Sequence, residues 1–138
     1  MSTFNLSILA ADCPFYEGPC ESLVVPTSSG QYGILAHHSN MISAIIPGTL
    51  TFRTENGGEM QVASVSNGLV KIEDNDVLVL VDTAERPEEI DENRARLAAD
   101  QAREEMLQKR SIQEYRAAQA HLSRALARLR VKRNYGNK

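Results

Sequence analysis

The sequence predicts a mainly β protein with an α-helical C-terminal part, and it places the boundary between residues 84 and 85. Short apolar runs separated by Gly, Asn, Asp and Pro fill residues 1–84, a pattern typical of a β-sandwich or β-barrel. Residues 85–138 consist mostly of good helix formers. The charge changes at the same place: residues 1–84 contain two basic and nine acidic side chains, whereas residues 85–138 contain 13 basic and nine acidic ones. We therefore predict a β domain followed by a helical domain.

The predicted strands follow one another at short intervals. The first, "FNLSILA", alternates Phe4, Leu6 and Ile8 with polar residues, as a strand with one buried face does. The segments "ESLVVPT", "GTLTFRT", "GEMQVASV", "GLVKIED" and "DVLVLVD" continue the series. The Asn-Gly pair in "ENGGE", residues 55–59, predicts a tight hairpin, and "EDND", residues 73–76, predicts a polar turn between two apolar strands. We expect strands that are neighbours in the chain to pair antiparallel.

The transition from strand to helix lies within "VLVLVDTAERPEEIDENRARLAAD", residues 77–100. Val77, Val79 and Val81 alternate with mostly apolar side chains, which predicts a strand that is buried on both faces. Pro87 suits the first turn of a helix, where the backbone N–H has no partner within the helix. Acidic residues soon after it favour a helix start because they face the positive end of the helix dipole.

The first predicted helix has a narrow stripe of small side chains. At about 100° per residue, Ala95, Ala99, Ala102 and Met106 share one face. Small residues on that face permit a second helix to come close. The sequence therefore favours a helical hairpin.

The second helix is predicted from about Ile112 to Val131. Ser111 precedes it with Glu114 three residues on, which is the spacing of a capping box. Its apolar side is formed by Tyr115, Leu122, Leu126 and Leu129. Two such helices bury little apolar surface, so we expect the hairpin to dock elsewhere. It either stays docked permanently or exchanges between its own β domain and an acidic partner.

The size and composition of the chain set further limits. With 138 residues it buries one modest core. No apolar run reaches the roughly 20 residues of a membrane span, and the N-terminus does not resemble a signal peptide, so we expect a cytosolic protein without direct membrane insertion. Cys13 and Cys20 have a spacing that also fits a short disulfide loop or half a metal site, but in an intracellular chain we expect reduced, structural thiols.

The sequence gives no pattern of a catalytic site. His37 and His38 are adjacent, and in an extended segment they would point to opposite faces, which disfavours a shared metal ion. No G-x-S-x-G elbow and no phosphate-binding loop of the G-x-x-x-x-G-K-[ST] type occurs. The basic C-terminal part is a weak indication of nucleic-acid binding because the acidic β domain would oppose it. We expect no catalytic residues, no metal and no nucleic-acid partner.

Three segments together carry a resemblance to a known family. They are "GQYGILAHHSNMISAIIPGTL", "SNGLVKIEDNDVLVLVDTAE" and "RPEEIDENRA", in that order. The first resembles a G-x-x-G-I-L-P-x-H-x-P segment, although Ala36 and Asn40 stand in place of its prolines. The second resembles G-G-x-x-E-V-x-x-N-x-V-x-V-L-A-D-T-A-E, with Asn67 and Lys71 as departures. The chain thus resembles the ε subunit of bacterial F-type ATP synthases over nearly its whole length.

The resemblance implies a fold and a set of partners. The fold would be a ten-stranded N-terminal β-sandwich followed by an antiparallel two-helix hairpin. The protein would be a non-catalytic part of the rotating central stalk, bound to the γ subunit and the c-ring at the cytoplasmic face of the bacterial plasma membrane. The loops that would face these rotor partners contain Gln31, Tyr32, His38 and Met41.

The resemblance also implies a regulatory role for the hairpin. In an extended state it would reach the α/β catalytic hexamer and inhibit ATP hydrolysis. The cationic residues of this inhibitory arm would be Arg116, Arg124, Arg128, Arg130, Lys132 and Arg133. Attraction to an acidic segment of a catalytic subunit would steer it.

Some members of the family bind ATP in the compact state, through a motif that "IDENRA" matches. The residues that the resemblance assigns are Glu85, Ile90, Asp91, Arg94, Ala95, Arg124 and Arg128. Asp91 would accept a hydrogen bond from adenine or ribose, and the arginines of the second helix would meet phosphate. Gln101 stands where the family has a further basic residue. ATP would be a regulatory ligand, and no cofactor would be required.

Two other classes of protein compete with this interpretation. One is a free-standing module that senses ATP without a rotor role, which copurification with a large ATPase would exclude. The other is an enzyme with an unusual site, for which substitution of His38 would abolish some turnover by the isolated chain.

Overall fold

The computed structural model describes residues 2–54, 58–108 and 111–135. These residues form ten strands and two α-helices, so the predicted fold class is confirmed. The strands are β1 Phe4–Ala10, β2 Pro14–Cys20, β3 Ser22–Thr27, β4 Gly30–Leu35, β5 Met41–Ile45, β6 Gly48–Arg53, β7 Met60–Val65, β8 Gly68–Glu73, β9 Asp76–Val81 and β10 Ala84–Glu85. The helices are α1 Glu92–Gln108 and α2 Ile112–Tyr135. The chain divides into two compact units between Glu85 and Arg86.

The first unit contains two five-stranded sheets. The first sheet has the order β2-β1-β9-β8-β5, and the second has the order β10-β7-β6-β3-β4. Several pairs that are neighbours in the chain are antiparallel, as the sequence predicts, but β1 pairs with β9 in parallel. That pairing joins Leu6 to Val77. It brings the first and the ninth strand together at the centre of one sheet.

Alternating side chains from both sheets fill the core of the first unit. Phe4, Leu6 and Ile8 are buried, as their alternation predicts. The rest of the core comprises Cys20, Leu23, Val25, Ile34, Ile45, Leu50, Phe52, Ala63, Val65, Val70, Ile72, Val77, Val79 and Val81. Gly68 at the start of β8 permits close strand contact, because a Cβ there would collide with the backbone of Leu80 and Val81.

The turn between β8 and β9 has the predicted form. Glu73 pairs with Asp76, and the two residues between them have positive φ angles, 51° for Asp74 and 66° for Asn75. This is the geometry of a two-residue hairpin with a left-handed backbone, which Asn and Asp tolerate well. The predicted turn in "ENGGE" lies in part outside the described residues, since 55–57 are not among them.

The prediction that the strand at 77–81 is buried on both faces is wrong. Val77, Val79 and Val81 are buried, but Leu78 is only half-buried and Leu80 is exposed. The strand lies at the centre of the first sheet, with its valines toward the core and its leucines on the outer face. A purely apolar run therefore marks an apolar outer surface here as well as a core.

The second unit is an antiparallel helical hairpin. Arg133 near the end of α2 forms an ion pair with Glu92 at the start of α1, which fixes the antiparallel direction. A cluster of small residues forms the seam between the helices, with Leu129 as its largest buried member. The seam comprises Ala95, Ala99, Ala125 and Leu129, with Ala98, Leu122 and Leu126 packed at its edges.

Two details of the predicted hairpin change. Tyr115, which the sequence predicts on the apolar side of α2, is exposed because it lies in the first turn, close to the end of the hairpin.

The first helix does not start at Pro87. Pro87–Glu89 form a separate 3-10 turn, and Asp91 caps α1 by accepting from the backbone N–H of Arg94 at 3.2 Å. The predicted cap at Ser111 is present, with the Glu114 N–H donating to Ser111 Oγ at 3.0 Å.

Candidate functional site

Two of the predicted rotor-facing residues form one hydrogen-bonded pair, which joins Tyr32 on β4 to His38 in the loop between β4 and β5. The Tyr32 hydroxyl lies 2.7 Å from Nε2 of His38, and Nδ1 of His38 lies 2.8 Å from the carbonyl oxygen of Ser39. A carbonyl only accepts, so Nδ1 carries a proton, and in the neutral imidazole the Tyr32 hydroxyl donates to Nε2. Both side chains are half-buried. Gln31 is exposed, and Met41 is half-buried against the core.

Two asparagine side chains connect this loop to the turn between β8 and β9 by accepting hydrogen bonds from backbone N–H groups. The N–H of His37 donates to Asn75 Oδ1 at 2.7 Å, and the N–H of Asp74 donates to Asn40 Oδ1 at 3.0 Å. His37 has a φ angle of 64°, so the two histidines do not lie in the extended segment that the sequence suggests. Asn40 stands where the resemblance expects proline, and here its side chain supports the turn.

The outer face of the first sheet carries an apolar surface that the sequence interpretation missed. Three apolar side chains on adjacent strands are exposed: Ile42 by 70%, Leu69 by 37% and Leu80 by 39%. The register brings them together, because Leu69 pairs with Leu80 and with Ala44, two residues from Ile42. We call Ile42, Ala44, Leu69 and Leu80 the outer apolar face. The sequence feature that indicates this surface is the presence of apolar residues on both faces of β9.

The motif "IDENRA" forms the start of α1. Ile90 and Ala95 are buried, and Asp91 uses its carboxylate as the helix cap, so one of its oxygens already accepts a hydrogen bond. Arg94 is exposed beside the seam. Glu85 belongs to β10 of the first unit, where it pairs with Ser64.

The arginines that the sequence assigns to phosphate are half-buried on α2. Arg124 donates from Nη2 to Nδ1 of His121 at 2.6 Å. Helical periodicity places Arg94 on the same side of the hairpin as Arg128, since each precedes a seam residue by one position. The structure thus groups Arg94 and Arg128 on one face of the hairpin.

The six cations of the predicted inhibitory arm do not form one patch. Lys132 Nζ donates to the carbonyl oxygen of Pro87 at 3.3 Å, and Arg133 Nε lies 3.8 Å from Glu92 Oε1. Arg130 and Arg133 line a groove on the side of the hairpin opposite Arg128. Arg116 lies near the other end of α2, beside the exposed side chains of Ile112 and Tyr115.

The two cysteines lie at opposite ends of β2. Cys13 precedes the strand and is exposed, whereas Cys20 ends it and is buried. The Cys20 thiol donates toward the carbonyl oxygens of Ser22 at 3.1 Å and Arg53 at 3.3 Å. Burial raises the pKa of this thiol, and the two backbone hydrogen bonds oppose the rise. Cys13 and Cys20 are not joined in a disulfide.

Residues 2–54, 58–108 and 111–135 contain neither a group of metal-binding side chains nor a membrane-spanning helix. Among those residues, no three or more His, Cys, Asp or Glu side chains come together in a way that would hold a metal ion. Within the same ranges, neither helix combines the length and the apolar character that crossing a bilayer requires.

The fold and these surfaces define a class of protein that acts through contact with other chains: a β-sandwich with an outer apolar face, joined to a helical hairpin with basic sides. Comparison with known families identifies the class more closely. Residues 3–87 match the beta-sandwich domain of the ATP synthase Delta/Epsilon chain, and residues 88–133 match its long alpha-helix domain. The chain belongs to this family, which confirms the resemblance found in the sequence.

Individual relatives match the chain over nearly its whole length. The ATP synthase epsilon chain of Caldanaerobacter subterraneus subsp. tengcongensis is 41% identical over 134 residues, which cover 96% of each chain. The ATP synthase epsilon chain of Shouchella clausii is 40% identical over 136 residues, 99% of each chain.

Solved structures share the fold. A chain of the Euglena gracilis mitochondrial ATP synthase, in a structure of OSCP, F1 and c-ring, superposes with a TM-score of 0.79 at 22% identity and covers 92% of this chain and 79% of its own length. A chain from the central stalk and c-ring of the Tetrahymena thermophila mitochondrial ATP synthase gives a TM-score of 0.63 at 15% identity, over 93% of this chain and 95% of its own.

Proposed function

We propose that this chain is a central-stalk subunit of an F-type ATP synthase, in which it couples the γ subunit to the c-ring and restrains ATP hydrolysis through its helical hairpin. Full-length relatives named ATP synthase epsilon chain support the role in the complex. The observation that carries the proposal is the outer apolar face, where Ile42 is 70% exposed. Exposed apolar side chains on adjacent strands are typical of a surface that a partner covers.

The β-sandwich would supply two contacts. The outer apolar face suits the γ subunit, because a permanent rotor joint favours a dry, apolar contact. The surface formed by Tyr32 on β4 and His38 in the following loop suits the c-ring, with Gln31 exposed on β4 and Met41 at the start of β5. The protein itself would do no chemistry and require no cofactor. It would sit at the cytoplasmic face of the bacterial plasma membrane as a peripheral part of the complex.

The hairpin would act as the brake on hydrolysis. Its seam consists mainly of alanines, so separating the two helices exposes little apolar surface. The end of the hairpin where α1 begins and α2 finishes is held by an exposed ion pair of Arg133 with Glu92 and by a hydrogen bond from Lys132 to the Pro87 carbonyl, and such contacts contribute only modest stability. A hairpin of this kind can leave its compact form when a catalytic subunit offers acidic side chains.

ATP would favour the compact form by binding to the face that carries Arg94 and Arg128. Asp91 has a second carboxylate oxygen besides the one that caps α1, and that oxygen is suited to accept from adenine or ribose. Half-buried Arg124 and Arg128 would meet the phosphates. Ligand that binds only the compact hairpin shifts the population toward it.

The experiment that tests the brake compares two forms of the cognate catalytic complex, one with the full chain and one with a chain that ends before Pro87. We expect the rate of ATP hydrolysis to rise about fivefold or more on truncation, the lower range of typical coupling between sites. Both chains should copurify with the complex in equal amounts, which serves as the control. Equal rates would contradict the inhibitory role and leave a coupling subunit with a passive hairpin.

Copurification also separates the rotor role from the competing role of a free ATP sensor. A stalk subunit should remain with the complex through gel filtration. A chain that elutes alone and binds ATP would favour the sensor.

A further inference from the structure

The groove lined by Arg130 and Arg133 lies on the side of the hairpin opposite Arg94 and Arg128. It has a volume of about 580 Å³ and is formed by both helices. Ala99, Leu126 and Leu129 form its apolar floor. Its polar lining consists of Arg96, Asp100 and Arg103 from α1 and Arg130, Arg133 and Asn134 from α2. Neither the ATP motif nor the apolar seam accounts for this arrangement.

The positive charge in the groove exceeds the negative charge beside it. Arg96 Nη2 lies 3.1 Å and Arg133 Nε lies 3.8 Å from the same oxygen of Glu92. Arg103 Nη1 lies 3.4 Å from Asp100 Oδ1. Arg130 makes no hydrogen bond or ion pair with any residue that the structure describes. Four guanidinium groups therefore share two carboxylates, and an added anion would find donors that are not fully used.

We propose that this groove binds an oligophosphate anion, either free or as the phosphate chain of a nucleotide. Guanidinium groups bind phosphate oxygens through paired N–H donors, and here they approach from both helices. From Arg96 to Arg103 the helix rises by about 10 Å. An oligophosphate places several charges within that length. An extended acidic peptide places fewer, because alternate side chains point to opposite sides.

The site is separate from the ATP motif of the proposed function and does not depend on it. The motif face contains Arg94 and Arg128, while the groove contains Arg103 and Arg130. Substitutions on one face therefore leave the other face intact. Loss of binding on each face can be measured separately.

The test is calorimetric titration of the full chain with inorganic triphosphate, and in parallel with ATP. For Arg130→Ala we expect the affinity for triphosphate to fall about tenfold, the effect of removing one charge-assisted contact. Arg116→Ala is the matched control, because it removes the same charge from the same helix outside the groove. It should change the affinity less than about twofold. Far-ultraviolet circular dichroism checks that each variant keeps its helices.

Each pattern of results has one meaning. Similar affinities for triphosphate and ATP, both lowered by Arg130→Ala, support a site that recognises phosphate alone. Tighter binding of ATP, with the same loss, supports a nucleotide whose base lies on the apolar floor. Binding that Arg94→Ala and Arg128→Ala abolish but Arg130→Ala spares would assign the ligand to the motif and overturn the groove. Equal losses for Arg130→Ala and Arg116→Ala, or no saturable binding of triphosphate, would overturn it too.

Discussion

At the scale of single residues, Cys20 shows how burial changes chemistry. Its thiol lies in the core of the β-sandwich and donates toward two backbone carbonyls. Burial raises the pKa of Cys20, so the folded state holds this proton more tightly than the unfolded chain does. The stabilisation is complete below the ordinary thiol pKa. It is lost as the pH rises past that value toward the raised pKa of the folded state.

We therefore expect the free energy of unfolding to decline as the pH rises above about 8.5, the ordinary thiol pKa. Urea denaturation of the full chain at a series of pH values measures it. Cys20→Ala should flatten part of the decline, whereas Cys13→Ala, at the exposed cysteine, should leave it unchanged. Identical pH profiles for all three chains would contradict the assignment. Iodoacetamide should modify Cys13 in the folded protein and Cys20 only after unfolding.

At the scale of an element, the start of α1 combines two roles in one residue. Asp91 caps the helix through Oδ1 and also lies in the motif proposed to bind ATP. Asp91→Ala removes the cap and should destabilise the hairpin by about 1 kcal/mol. Asp91→Asn keeps the capping oxygen, since Asn caps helices as well as Asp does, but it removes the charge. Hydrogen exchange of the Arg94 and Ala95 amides should therefore accelerate in the Ala variant and stay close to wild type in the Asn variant.

ATP titration of the same two variants separates the roles. If Asp91→Asn binds ATP as well as the wild type, the carboxylate charge has no part in binding. If both variants exchange as slowly as the wild type, the hydrogen bond to Asp91 Oδ1 contributes nothing to the stability of the hairpin.

Local patterns in the sequence predicted much of each element but not how the elements meet. The alternation of Phe4, Leu6 and Ile8 and the cap at Ser111 were found because their signals lie within a few residues. The parallel pairing of β1 with β9 was not found, since it joins segments about 70 residues apart and no local pattern encodes it. The exposure of Leu80 is likewise not encoded by the residues next to it in the chain. An apolar residue is expected to be buried, but which protein buries it depends on the assembly.

The candidate sites also differ in whether their residues are close together in the sequence or only in the fold. The motif around Asp91 could be read from sequence because its residues are contiguous, whereas the groove with Arg103 and Arg130 forms only when two helices pack antiparallel. The six cations predicted as one arm lie around α2, because successive residues turn by about 100°. Charge content along a chain does not by itself define a surface.

At the scale of the whole molecule, the two units differ in the surfaces they offer. The β-sandwich is acidic and exposes an apolar face, and the hairpin is rich in cations and has small, alanine-based contacts. A permanent joint is best made by the apolar face, since ionic strength does not screen apolar burial. A reversible contact is best made by the cations, whose attraction ionic strength weakens. The division of labour proposed for the subunit follows from this difference.

The joint with the γ subunit should therefore depend on the outer apolar face more than on charge. Ile42→Asp places a carboxylate on the most exposed residue of that face, on the edge strand β5, and because Ile42 is 70% exposed the substitution should leave the fold intact. We expect the affinity for purified γ subunit to fall about tenfold or more, as for an apolar side chain that a partner buries.

Met60→Asp is the matched control, because Met60 is 52% exposed on β7 of the other sheet and the change in charge is the same. Surface-immobilised γ subunit and the two full-length variants provide the measurement. Ile42→Ser, which adds no charge, should lose affinity in the same direction as Ile42→Asp, since the lost contact is apolar. If Met60→Asp weakens binding as much as Ile42→Asp, added charge rather than the outer apolar face determines assembly. If neither variant weakens binding, the γ subunit must contact another part of the β-sandwich.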